Sequence, residues 1–150
     1  MITCTRRLPF CAGHRVHGHE NKCAQPHGHQ YVAYITVQMM TGGQEVDHLG
    51  RVIDFSCIKE RVGTWIDRAW DHGFILWDRD HEMIEALKQV KAAKVYRMPY
   101  NPTAENMALY LLEHVCPDLL ADTNCSVVKV VIQETENCTA EATRENLLSQ

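Results

Sequence analysis

Three histidines, His14, His27 and His29, have the residue type and spacing of a metal site. His27 and His29 are separated by one residue at the start of an apolar segment, and the two-residue period of a strand turns both imidazoles to one face. If the residues before His14 pair with that segment as a hairpin, His14 lies opposite the pair across the ladder. Three neutral imidazoles bind Zn²⁺ and leave its fourth position free, which is typical of a catalytic zinc.

Two alternatives to this ligand set lie in the same stretch of sequence. Cys23 is able to close the site as a fourth ligand, and the zinc would then be structural. The segment His17-Gly18-His19 has the same spelling as His27-Gly28-His29. The later copy continues directly into a predicted strand, whereas the earlier copy leads into a polar loop, and a rigid element positions ligands better. We therefore assign the later copy to the metal.

Two pairs of strands are predicted to position these residues. Residues 2–12 and 29–40 form the first hairpin, the second of them being rich in β-branched and aromatic residues. Residues 15–26, which are polar and contain glycine and proline, form a long loop at one end of that hairpin. The run Val127–Ile132 predicts a third strand, and a turn at Glu136-Asn137 leads into a short fourth strand.

Two amphipathic helices are predicted between the strand pairs. The first begins after Asp54 as its N-cap, with apolar residues at helical spacing as far as Ala69. The second has Thr103 as its N-cap and is predicted to end at Pro117. Residues 81–91 have a weaker helical pattern. The order β-β-α-α-β-β predicts an α+β fold in which two helices cover one face of an antiparallel sheet.

Composition restricts the class of protein and its partners. A chain of 150 residues with 45% apolar and 23% charged residues predicts a single soluble domain covering residues 1–150. A net charge of −4 without a basic cluster argues against nucleic acid as a partner. Without an apolar stretch near the roughly 20 residues of a spanning helix, and without a signal core, we expect a cytoplasmic protein with no membrane partner. The seven cysteines, an odd number, are predicted to be mostly reduced.

Six motifs, in order along nearly the whole chain, resemble the 6-pyruvoyltetrahydropterin synthase family. They are FCAGHRV (residues 10–16), KCAQPHGHQY (22–31), GRVIDF (50–55), WDHG (70–73), PTAEN (102–106) and QET (133–135). The short spacing from Cys23 to the second HGH resembles the bacterial branch, the 6-carboxytetrahydropterin synthases of queuosine biosynthesis. The resemblance implies the tunnelling fold (T-fold), with a four-stranded antiparallel sheet and two helices. It also implies a homohexamer, a dimer of trimers with active sites at subunit interfaces.

The resemblance implies roles for four further residues. Cys23 is expected to act as the base that removes a proton from the substrate, since a thiol ionises more readily beside a cation or a metal. Asp71 and His72 match the family's proton-relay pair, although on their own they are an ordinary helix terminus. Glu134 lies at the end of the Val127–Ile132 strand and matches the glutamate that accepts two N–H groups of the pterin ring.

The substrate implied by the resemblance is 7,8-dihydroneopterin triphosphate, with Zn²⁺ as the cofactor. Thr103 and Glu105 are expected to contribute to substrate binding. Arg15 and Lys22 are assigned to the triphosphate from their proximity to the metal ligands, because the chain has no glycine-rich phosphate loop.

Three functional hypotheses follow. A zinc lyase makes 6-carboxy-5,6,7,8-tetrahydropterin and releases acetaldehyde and triphosphate. A 6-pyruvoyltetrahydropterin synthase instead eliminates the triphosphate, and a zinc-stabilised module binds pterins without turnover. Two departures bear on the substrate: Gly73-Phe74-Ile75-Leu76 follows the Asp-His pair, and Ala140–Thr143 replaces a segment in which the family commonly has tyrosine.

Overall fold

A hairpin of two long strands forms the centre of a six-stranded sheet. The computed structural model describes residues 1–144. The strands are β1 (Thr3–His14), β2 (His27–Met39), β3 (Gly73–Trp77), β4 (Val95–Met98), β5 (Cys125–Thr135) and β6 (Cys138–Thr143). β1 pairs with β2 in antiparallel register, with His14 opposite His27. The predicted hairpin and the loop between its strands are confirmed.

The sheet order is β4-β3-β1-β2-β5-β6. Strands β1, β2, β5 and β6 are antiparallel neighbours and form the predicted four-stranded α+β sheet. The predicted strand count is wrong, because β3 and β4 extend the sheet from β1 as short parallel strands. Each has five or fewer residues, too few to give the alternating pattern by which strands are recognised in a sequence.

Three helical segments connect the strands. Helix α1 (residues 55–69) begins after the N-cap Asp54, whose side chain accepts the Ser56 N–H. Helix α2 (His81–Leu87) is the weakly predicted helix. Helix α3 (residues 104–119) begins after the predicted N-cap Thr103. Pro117 does not end α3 as predicted. Within α3 a π-helical stretch, Leu111–Val115, is followed by an α-helical segment, Cys116–Leu119, and Pro117 lies in the first turn of that segment, where its missing N–H removes no hydrogen bond.

Helices α1 and α3 pack on one face of the sheet, and the main apolar core lies between this face and the two helices. Leu76 of β3 instead packs with Met83 and Ile84 of α2 in a separate small cluster. The largest fully buried side chains of the main core belong to both layers: Trp70, Tyr31, Ile35, Ile58, Ile66, Ile75, Met98, Met107, Leu111, Leu112 and Ile132. All seven cysteines are free thiols, as predicted. Among residues 1–144, no helix has the length and apolar character that crossing a membrane requires.

Candidate active site at the end of the central hairpin

The three predicted metal ligands converge at the end of the central hairpin. His14 is the last residue of β1 and His27 the first of β2, while His29 lies opposite Ala12 on the same face. The Nε2 atom of His27 lies 3.1 Å from the Nε2 atoms of both His14 and His29. Three tetrahedral ligands at the usual zinc–nitrogen distance are about 3.3 Å apart. The geometry and the nitrogen donors therefore fit a zinc ion.

Backbone carbonyl groups orient two of the three rings. Nδ1 of His14 donates to the carbonyl oxygen of Pro102 at 2.8 Å, and Nδ1 of His27 donates to that of Gln25 at 2.6 Å. A ring that carries its proton on Nδ1 presents the Nε2 lone pair to a metal. Burial lowers the pKa of His14 to about 4. The hydrogen bond to Pro102 opposes this shift, whereas the neighbouring His27 and His29 add to it. His14 is therefore neutral at pH 7, as a zinc ligand must be.

The structure distinguishes between the ligand sets that the sequence left open. Within the described part of the chain, the ligand atoms of His14, His27 and His29 lie within 4.8 Å of one another, and the Cys23 thiol does not join this group. The arrangement favours an open three-histidine site. The later HGH copy joins His14 in this group, whereas His17 of the earlier copy packs its ring 5.8 Å from the Trp77 ring.

Gly28, between two of the ligands, makes a close backbone approach to β1. A Cβ atom at this position would lie 3.0 Å from the Ala12 carbonyl oxygen. Glycine thus permits the tight pairing of β1 with β2 that brings His14 to the other two ligands.

Cys23 and Glu134 line the same cavity beside the histidine cluster. The cavity has a volume of about 280 Å³ and also includes His14 on its wall. Cys23 lies in a single helical turn, Lys22–Ala24, within the loop that joins β1 to β2. Its carbonyl oxygen accepts the N–H of Val16 at 2.8 Å. This bond holds the thiol-bearing turn against the residues that directly follow His14.

A β-bulge places Glu134 at this cavity. In the pairing of β5 with β6, Gln133 lies opposite Thr139 and Thr135 opposite Cys138, so Glu134 is the extra residue. Bulges redirect side chains in this way, often next to functional sites. One carboxylate oxygen of Glu134 lies 3.4 Å from Nε2 of His29. The carboxylate therefore reaches the edge of the metal cluster.

The predicted substrate-binding residues Thr103 and Glu105 also line the cavity. The Thr103 hydroxyl accepts the N–H of Asn106 as the N-cap of α3. Glu105 is exposed in the first turn of that helix. Lys22 is exposed in the same turn as Cys23, and its assignment to the triphosphate stays a prediction.

Arg15, which was predicted to bind the triphosphate, is paired with a buried carboxylate. Its guanidinium donates to both carboxylate oxygens of Asp80, at 2.7 and 2.5 Å, and the two side chains are 11% and 1% exposed. Asp80 is also the N-cap of α2. Because the paired carboxylate already occupies the guanidinium, we leave Arg15 out of the proposed site. It anchors the β1–β2 loop to α2.

Replacing Asp80 by asparagine is expected to lower the free energy of unfolding by about 3 kcal/mol at pH 7, because a nearly buried guanidinium loses its counter-charge. The hydrogen bonds from Arg15 hold the pKa of the Asp80 carboxyl below its usual range, and partial burial only opposes this. The stabilisation is therefore complete above the ordinary carboxyl pKa of about 3.9 and is lost as the pH falls through the folded value. Urea unfolding at pH 7 and at pH 3 measures both effects.

Glu82 provides the matched control for that experiment. It lies 3.5 Å from the same guanidinium but is 81% exposed, so Glu82→Gln should change the free energy of unfolding by less than about 1 kcal/mol. Equal losses in the two variants would contradict a structural role for the Arg15–Asp80 pair.

Sequence reasoning missed a second anchor of the loop. The side-chain oxygen of Asn101 accepts the N–H of His17 at 2.9 Å, and its amide nitrogen donates to the His17 carbonyl at 3.0 Å. Asn106 in turn donates to the Asn101 carbonyl. The segment that leads into α3 thus holds the loop through Asn101 and the His14 ring through Pro102. Residues 17 and 101 are too far apart in sequence for any local signal.

Asp71 and His72 lie at a different cavity from Cys23. His72 lines an open cavity of about 450 Å³, which the ligands His27 and His29 also border. Nδ1 of His72 donates to Asp71 at 2.7 Å, and the His72 ring is 79% exposed. His72 has a φ of +56°, a strained conformation for a residue with a side chain.

The electrostatics of Asp71 favour an oriented pair. Partial burial opposes ionisation of its carboxyl, but the Cys11 N–H and the His72 ring outweigh it and hold the pKa below the usual range. A single chain therefore brings Cys23 and Glu134 to one cavity beside the metal cluster and keeps the Asp71–His72 pair at another.

Comparison with known proteins agrees with this geometry. The sequence model of the family described as 6-pyruvoyl tetrahydropterin synthase matches residues 3–145. The 6-carboxy-5,6,7,8-tetrahydropterin synthase of Rickettsia typhi is 44% identical over 141 residues, covering 94% of this chain and 99% of that protein. A protein of Halobacterium salinarum named as a probable enzyme of the same kind is 35% identical, covering 90% of this chain and 82% of that protein.

Solved structures share the fold. An uncharacterised protein of Wolinella succinogenes superimposes with a TM-score of 0.78 at 21% identity, over 96% of this chain and 98% of that one. The 6-pyruvoyl tetrahydropterin synthase of Caenorhabditis elegans superimposes with a TM-score of 0.65 at 25% identity, over 96% of each chain. The predicted T-fold is thus confirmed, and the chain belongs to the 6-pyruvoyl tetrahydropterin synthase family.

Proposed function

We propose that this protein is a zinc-dependent lyase that converts 7,8-dihydroneopterin triphosphate and one water molecule into 6-carboxy-5,6,7,8-tetrahydropterin, acetaldehyde and triphosphate. The observation that carries the proposal is that a three-histidine cluster, the Cys23 thiol and the Glu134 carboxylate meet at one cavity. The names of the relatives from Rickettsia typhi and Halobacterium salinarum support this product. The corresponding setting is cytoplasmic queuosine biosynthesis.

His14, His27 and His29 would hold the zinc ion through their Nε2 atoms. Zinc bound there supplies Lewis-acid polarisation of the hydroxyl oxygens on the substrate side chain, which makes the neighbouring C–H bonds more acidic. The carbonyl groups of Pro102 and Gln25 keep two of the rings in the tautomer that binds a metal.

Cys23 is the proposed base. Its thiolate would accept the proton from the substrate carbon, and its turn is held in place by the bond between Val16 and Cys23. Glu134 is the proposed pterin anchor, because a carboxylate accepts two adjacent N–H groups of the ring side by side. Thr103 and Glu105 on the same wall are proposed to contribute polar contacts.

Asp71 and His72 are proposed to act in the cavity of a neighbouring subunit. The support is geometric: the His72 ring is exposed and hydrogen-bonded to Asp71, but it lines a different cavity from Cys23 of its own chain. A homohexamer built as a dimer of trimers, with active sites at subunit interfaces, would bring the His72 ring of one chain to Cys23 of the next. The histidine would then relay protons, and Asp71 would orient its ring.

The proposal predicts the product of the reaction. Zinc-loaded protein incubated with 7,8-dihydroneopterin triphosphate should yield 6-carboxy-5,6,7,8-tetrahydropterin and acetaldehyde, both identified by mass. Chelator-treated protein is the control, and it should regain activity when zinc is returned. Formation of 6-pyruvoyltetrahydropterin would favour the other branch of the family, and tight pterin binding without turnover would favour a non-catalytic module.

A further inference from the structure

We propose that His19 binds the phosphorylated side chain of the substrate by donating its Nε2–H to a phosphate oxygen. The inference rests on the proposed function, since it assigns a binding residue to the same cavity. His19 belongs to the earlier HGH copy, which the metal cluster does not use. It is half-buried and lines the 280 Å³ cavity together with Cys23 and Glu134.

The backbone fixes the position of His19 relative to Cys23. Gly18 has a φ of +84°, which a residue with a side chain rarely adopts, and it turns the chain so that the N–H of His19 donates to the Val16 carbonyl at 3.1 Å. The N–H of Val16 donates to the Cys23 carbonyl at 2.8 Å. Val16 therefore links the histidine and the thiol through consecutive backbone bonds, and both reach the cavity.

A local hydrogen bond also sets the tautomer of the His19 ring. The N–H of Asn21 donates to Nδ1 of His19 at 2.9 Å. Because Nδ1 accepts, a neutral ring carries its proton on Nε2. The ring thus has the opposite tautomer from His14 and His27, whose Nδ1 atoms donate to carbonyl groups. Those two rings present a lone pair, as a metal requires, and His19 presents a donor, as an anion requires.

The composition of the cavity wall favours a phosphate oxygen as the acceptor of the His19 N–H. The wall also carries two carboxylates, Glu105 and Glu134, which repel a triphosphate, so a bound phosphate needs a hydrogen-bond donor here. Of the side chains that line the cavity within the described residues, His14 and His19 have a ring nitrogen, and His14 is committed to the metal cluster. Arg15, the nearby guanidinium, is paired with Asp80. His19 is therefore the side-chain N–H donor that this wall offers to an anionic oxygen.

Calorimetric binding to zinc-loaded protein tests this assignment, with 7,8-dihydroneopterin triphosphate, inorganic triphosphate and 7,8-dihydroneopterin as probes. His19→Ala should weaken the binding of both triphosphates about tenfold, because it removes a hydrogen bond to a charged group. It should leave the affinity for 7,8-dihydroneopterin and the zinc content unchanged. His19→Gln, which keeps an N–H donor, should recover part of the loss. In turnover, KM should rise with little change in kcat.

His17→Ala is the matched control, since His17 has the same local sequence but packs on Trp77. It should bind all three probes like the parent. Unchanged triphosphate binding by His19→Ala, or an equal loss for 7,8-dihydroneopterin, would overturn the proposal. A parent protein that forms no product would refute the proposed lyase function. The role of His19 would still be tested, because the binding of inorganic triphosphate needs no turnover.

Discussion

Replacing Cys23 by alanine should lower turnover of 7,8-dihydroneopterin triphosphate about a thousandfold while the protein keeps its zinc. A positioned general base contributes on the order of 10²–10⁴ in rate, and the cavity wall holds Cys23 next to the histidine cluster without making it part of that cluster. The expected loss is in kcat, because the thiol acts on the reacting carbon and Glu134 is the proposed pterin anchor. Steady-state kinetics and metal analysis on the same samples measure both effects.

Cys138 offers a close control for the Cys23 experiment. It is a second free thiol on the wall of the same cavity, and no part of the proposed chemistry uses it. Cys138→Ala should therefore turn over at close to the parent rate. If Cys23→Ala loses its zinc together with its activity, the thiol is a ligand, and the open three-histidine site is wrong.

Replacing His27 by alanine should remove both zinc and activity. His27 is the central ring of the cluster, 3.1 Å from each of the other two Nε2 atoms, and its loss leaves two ligands. Loss of an outer hydrogen-bond partner of a ligand costs about 10–100-fold in metal affinity, so loss of the ligand itself should cost more. Metal analysis after dialysis against a weak chelator, followed by the turnover assay, measures the result.

His17 is the corresponding control for that experiment, because the two HGH copies have the same sequence. His17→Ala should retain the full zinc content. Retention of zinc by His27→Ala, or its loss from His17→Ala, would mean that the ligand assignment between the two copies is wrong.

Features that depend on neighbouring residues were predictable from the sequence. Asp54 and Thr103 are N-caps because a short polar side chain next to an apolar helical repeat satisfies free N–H groups at the helix start. The histidine cluster was predictable because two ligands follow the period of one strand and the third follows from a hairpin. In both cases the signal lies within a few residues or in one pairing.

Features that depend on distant partners were not predictable. Arg15 has a guanidinium of the kind that binds phosphate, but this group is paired with a carboxylate 65 positions away in the sequence. Strands β3 and β4 are short, and the parallel pairings of β1 with β3 and of β3 with β4 join segments that no tight turn connects. The placement of His72 and Cys23 at different cavities also escaped prediction, because a sequence motif does not say which cavity of the folded chain it will line.

The placement of His72 and Cys23 at separate cavities has a consequence for inheritance as well as for chemistry. If the Asp71–His72 pair serves the neighbouring subunit, each chain contributes to two cavities, its own through Cys23 and another through His72. A chain altered at both positions would disable two cavities when it enters an assembly with normal chains. Chains altered at only one of them would complement each other, because one keeps the thiol and the other keeps the relay. The activity of an assembly would then depend on which variant chains it combines and not on the defect of any single chain.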